Sequence, residues 1–179
     1  MNTLIDDAAR PALRQRIGRL LATCVRAEIA VGHVRLAALD LKEEETRCVR
    51  RCRILLGRLE VRALTDFGFA DPGADERMAA LLAFLESGRV EIRSAGLGAW
   101  SPDFSIYRGA PGDDSVCLLG AHYFREPPSP NGPSFTALLN DPCSTAIALA
   151  RFESLWARAH DVLEPVASAV HRRQSFSGS

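Results

Sequence analysis

Four histidines and five cysteines are the side chains of this 179-residue sequence best suited to nucleophilic, acid–base or metal chemistry. The cysteines (Cys24, Cys48, Cys52, Cys117 and Cys143) are odd in number and widely spaced, and three sit in apolar patterns. Reduced thiols in or near a core are therefore expected. Cys48 and Cys52 lack the CxxC or HxxxH companions of a zinc site, so neither a metal nor a cofactor is expected. His160 and His171 fall in the C-terminal region, where solvent exposure is the plain reading. His33 follows Gly32 at the end of an apolar run and reads as structural. That leaves His122, just past the strand-like CLLG.

Positive charge is carried almost wholly by arginine. The 22 basic residues include one lysine, Lys42, and 21 arginines. A high-GC genome suffices to produce this bias, but the guanidinium fork also suits phosphate, which makes an arginine cluster a candidate anion site. With 22 acidic residues the net charge is zero. No global field draws the chain to nucleic acid or membrane, and any such binding needs a local patch.

The elements that must position these groups follow from periodicity. In ARPALRQRIGRLLATCVRAE, Leu13, Ile17, Leu20, Leu21 and Val25 have helical spacing, with arginines on the opposite face. EIAVGHVRL reads as a buried strand entering a turn, LKEEETRCVRRC as a short helix, and CRILLG as a strand. DPGADERMAALLAFLESG opens with proline, closes with glycine and carries the stripe Met78, Leu81, Leu82 and Leu85, which predicts a helix. RVEIRSA is an alternating strand. Two strands, 103–109 and 115–121, then flank the turn-rich APGDDS, where Asp113 and Asp114 read as turn formers. REPPSPNGP must be a surface loop and SFTALLND a strand. CSTAIALARFESLWARAHDVLEPVASAV reads as one long helix bent or ended at Pro165. The expectation is a single α/β domain over 1–166 and a disordered tail over 167–179. MNTLIDDAARPALRQR has no signal-peptide core and no run spans a bilayer, so a cytoplasmic protein without a membrane partner is expected.

Segment order also resembles a known family. AEIAVGHVRLAALDL followed by RILLGRLEVR resembles the opening of phospholipase-D-like (HKD) domains, especially those attached to helicases and restriction-type DNA enzymes. RVEIRSA looks like the strand before the catalytic motif, and DFSIYRG like the HxKxYxxxG strand. CLLGAHYF looks like the GSxN strand, TALLND like the strand leading into the last helix, and ARFESLWARA like that helix. The resemblance spans about residues 22 to 166. It implies a mixed β-sheet flanked by helices on both faces. It also implies a histidine nucleophile that forms a phosphohistidine, a lysine that neutralises the phosphoryl oxygens, and a second histidine as general acid.

Carried over by position, the histidine falls on Asp103 and the lysine on Ser105, while the serine and asparagine of GSxN fall on Ala121 and Tyr123. All four depart from the pattern. Aspartate repels a phosphodiester, serine brings no positive charge, and Lys42 is too remote for any shift to restore the motif. The resemblance thus implies a phosphodiesterase frame without catalytic residues. His122 is the outside candidate. Strand alternation turns it away from the face shared by Ala121 and Tyr123, although a bulge at Gly120 would re-aim it. Arg35 matches an arginine of the family's FRLSG pattern, and Arg93 and Arg108 lie on strands beside the site, so these three are the candidate ligand-binding residues. Trp100 and Phe104 read either as core aromatics or as a base-stacking pair.

The expected function is a catalytically inactive binding and dimerisation module. It would form a homodimer, with nucleic acid or a DNA-processing protein as partner. Two alternatives stand beside it: a divergent phosphodiesterase using His122, and a small-ligand sensor of a regulatory system.

Overall fold

The computed structural model describes residues 3–6, 10–32, 43–57, 74–96, 103–110, 114–120 and 135–177. Their strands are β1 (Thr3–Asp6), β2 (Arg26–Val31), β3 (Arg51–Leu56), β4 (Val90–Ser94), β5 (Phe104–Arg108), β6 (Ser115–Leu119), β7 (Phe135–Leu139) and β8 (His160–Asp161). The helices are α1 (Arg10–Thr23), α2 (Glu43–Thr46), α3 (Ala74–Glu86), α4 (Pro142–Trp156) and α5 (Leu163–Ser177). One sheet of order β1-β7-β6-β5-β2-β3-β4-β8 joins all eight strands. β2, β3 and β4 run parallel, and every other neighbouring pair is antiparallel.

The parallel centre is buried on both faces, which is why β2 and β3 read as nearly continuous apolar runs. On one face, Leu13, Ile17 and Leu21 of α1, Leu81 and Leu85 of α3, and Val166 and Val170 of α5 pack on Ile29, Ile54 and Ile92. Their spacing of three to four residues is what turns one stripe of each helix to the sheet. On the other face Phe152, Leu155 and Trp156 of α4 cover Ala30, Leu55 and Ile106. Fully burying each large apolar side chain stabilises the fold by about 1.5–3 kcal/mol.

The predicted hairpin is present: β5 and β6 pair antiparallel, with Ile106 opposite Cys117. Its second strand is shorter than expected. β6 ends at Leu119, and Gly120 after it takes φ = 75°, a left-handed backbone that suits glycine; Ala121 and His122 lie outside the described residues. The expected long last helix is two helices. α4 stops at Trp156, β8 intervenes, and the Asp161 carboxylate accepts from the Leu163 amide at 2.8 Å to start α5. Pro165 lies in the first turn of α5, where no backbone donor is needed. The expected tail beyond 166 is instead helical through Ser177, with Ala169 and Val170 buried. No helix among the described residues is long and apolar enough to cross a membrane.

Candidate functional site

Two polar constellations occupy opposite faces of the sheet. At the upper end, where β2, β3 and β4 finish, Asp103 precedes β5 and is 3% exposed. Its Oδ1 accepts from the Gly32 amide at 2.7 Å, while its carbonyl accepts from the Gly120 amide at 2.7 Å. One residue therefore ties together the ends of β2, β5 and β6. Two and four positions on, Ser105 and Tyr107 share its side of the strand and face the layer of α1, α3 and α5. Ser105 is fully buried. Neither its Oγ nor Tyr107 Oη makes a hydrogen bond of full geometry among the described residues. Burial pushes the Tyr107 phenol well above its ordinary pKa, and the nearby Ser105 hydroxyl only partly opposes that rise.

The lower constellation lies on the α4 face. Glu28, 1% exposed in the middle of β2, accepts from Arg108 Nη2 at 2.5 Å and Nε at 3.2 Å, and from Arg53 Nη2 at 3.2 Å. Arg53 also forks onto Glu153 of α4, at 3.0 and 2.5 Å, and lies over the Phe152 and Trp156 rings. Burial works to lower the Arg53 pKa, but its bonds to Glu153 and Glu28 outweigh that and raise it. The same bond from Arg53 holds the Glu153 carboxyl below its usual range, against a smaller effect of burial. Two buried-facing cations are thus matched by two carboxylates, as a low-dielectric position requires. A cavity of about 350 Å³ opens beside Arg108, between Ser115, Asn140 and the first turn of α4.

Among the described residues, the structure does not bring Asp103 and the expected ligand-binding arginines together. Arg108 is about 16 Å along β5 from Asp103, at roughly 3.3 Å per residue, and on the other face. Arg93 donates to the Trp156 carbonyl at 3.2 Å and stacks on its ring at 4.8 Å, a packing role rather than an open cation. Phe104 is a core aromatic, edge-on to Phe152. His33, Arg35, Trp100, Ala121, His122 and Tyr123 lie outside the described residues. Glu28 and Glu153 were not singled out from the sequence. The available signal was a carboxylate inside the otherwise apolar AEIAV, a position that demands a cation. Among the described residues no group of three or more metal-ligating side chains occurs, and Cys24, Cys52 and Cys117 are buried apart from any disulfide.

Comparison of the whole fold identifies its type. The structure superposes on a phospholipase D family member, Nuc from Salmonella typhimurium, with a TM-score of 0.58 at 11% identity, covering 90% of this chain and 97% of that one. It superposes on NucT from Helicobacter pylori with a TM-score of 0.54, also at 11% identity, covering 90% and 99%. The fold is phospholipase-D-like. TrmBL2, an archaeal chromatin protein, matches with a TM-score of 0.50 at 15% identity; this chain spans 54% of its length. No family model matches the sequence, and no curated protein is similar enough to count as a relative. Within this phospholipase-D-like frame, the aspartate at the expected nucleophile position is a backbone clamp, and the serine at the expected lysine position is core.

Proposed function

We propose that the chain is a phospholipase-D-like binding module without phosphodiester chemistry, working as a homodimer in a DNA-acting system. The observation that carries this reading is Asp103: its carboxylate is buried and bound to the Gly32 amide at the position where the family pattern places the nucleophilic histidine. A group held in that way neither attacks phosphorus nor faces a substrate. Ser105, two residues on, is buried and uncharged where the mechanism needs a cation.

The DNA-acting part draws support from TrmBL2, which is described as a chromatin protein with a novel mode of DNA binding. The homodimer follows from the family resemblance, in which one motif per chain is completed by a two-fold partner. Two measurements test the reading. Sedimentation at tens of micromolar should give about twice the 19.5 kDa chain mass. A chromogenic phosphodiester should show no metal-independent turnover; turnover that survives purification and disappears in His122→Ala would replace the module with a divergent phosphodiesterase.

A further inference from the structure

Strand register sets three arginines side by side on the α4 face. Arg26 of β2 is opposite Arg108 of β5 and also opposite Arg51 of β3. The row Arg108–Arg26–Arg51 thus crosses three adjacent strands at about 4.8 Å per step, with all three on one face by strand parity. Like charges directly opposite one another destabilise a sheet. Two of the three are neutralised a step further up: Arg108 by Glu28, and Arg51 by Glu91 at 2.8 Å. Arg26 is exposed and makes no ion pair among the described residues.

Solvent reaches this row. The Arg51 side chain is 51% exposed and that of Arg108 is 24% exposed. Arg50 adds a further exposed guanidinium at the same end, where its amide bonds the Val25 carbonyl. Across this face of β2–β5, five arginines (Arg26, Arg51, Arg53, Arg93 and Arg108) meet two strand glutamates, Glu28 and Glu91, with Glu153 added from α4. Asp114 and Asp141 lie beyond Arg108 on the β6–β7 side, where Asp141 caps α4. A chain of zero net charge thus gathers arginines on one face at one end of its central strands.

We propose that the row Arg108–Arg26–Arg51 is a contact site for a nucleic-acid backbone, with Arg26 making the direct phosphate contact. A nucleic-acid strand repeats negative charge every few ångströms, a spacing that a row of arginines on neighbouring strands can follow. The site lies at the opposite end of the sheet from Asp103 and owes nothing to the phosphodiesterase position. It rests on the DNA reading above and adds a location to it.

The test is fluorescence anisotropy with a labelled single-stranded oligonucleotide and the matching duplex, between about 50 and 200 mM salt. Arg26→Gln should weaken binding about five- to tenfold at low salt and lower the slope of log K against log salt by about one. Its melting temperature should stay level or rise, because a like-charge contact is relieved. Arg172→Gln, an exposed site on α5 across the sheet, should bind as the wild type does. Wild-type binding that Arg26→Gln leaves unchanged in affinity and slope overturns the location while the DNA reading stands. Failure of the wild type to bind either oligonucleotide at the lowest salt overturns both.

Discussion

The Asp103 carboxylate accepts the Gly32 amide at 2.7 Å, a contact between residues 71 positions apart. It joins the start of β5 to the end of β2 in the buried upper end of the sheet. Removing the acceptor leaves a buried amide unpaired, at a cost of about 1–3 kcal/mol. Asp103→Ala should lose that much stability in urea unfolding, whereas Asp103→Asn, which retains a carbonyl acceptor, should lose far less. Asp103→His should be destabilised as well and should gain no hydrolytic activity. An Asp103→Ala variant as stable as wild type would remove the clamp from the explanation.

Glu28 holds two arginines on the α4 face. Breaking a buried ion pair by deleting one partner typically costs about 3–5 kcal/mol, because the remaining charge stays buried. Glu28→Ala should therefore unfold at markedly lower denaturant, and more so than Glu91→Ala. The Glu91 pair with Arg51 is exposed on both sides, where such pairs contribute little.

Glu153 gives the network a pH signature. Its folded pKa is depressed by Arg53, so its contribution is present above the unfolded carboxyl pKa and is lost as pH falls through the folded value. The melting-temperature gap between wild type and Glu153→Gln should be open at neutral pH and close in the acid range. A gap that widens on acidification would contradict the assignment.

Thiol reactivity reports the core directly. Burial pushes the Cys24 pKa up to about 12 and that of Cys117 up to about 11, and raises Cys52 further still. Only the exposed Cys48 and Cys143 should react with a disulfide reagent near pH 8, since the thiolate is the reactive form. Two thiols should titrate rapidly in the native protein and all five after denaturation. Rapid reaction of a third would show an open core.

Much of the sheet is legible in sequence because its signals are local. The stripe of α3, the apolar runs of β2 and β3, and the pairing of β5 with β6 each need only a short window. β1 is not legible, since the four residues TLID become a strand only by pairing with β7, far along the chain. The break between α4 and α5 is legible only in part: Pro165 signals a bend or end of the long helix, but the helix restart at Asp161 and β8 depend on contacts the sequence does not show, β8 existing only because β4 offers an edge. At the site, the departures at Asp103 and Ser105 are plain in sequence. What replaced the chemistry is not, because the Gly32 partner, the bond to Arg108 and the Arg26 row all arise from long-range register.

The most direct measurement incubates purified protein with an end-labelled single-stranded oligonucleotide at low salt, without added metal, and reads the bound fraction and strand length together. A module that binds without chemistry should give a salt-sensitive complex from which full-length strand is recovered after long incubation. Shortened strand that accumulates with time, and no longer does so in His122→Ala, would contradict it.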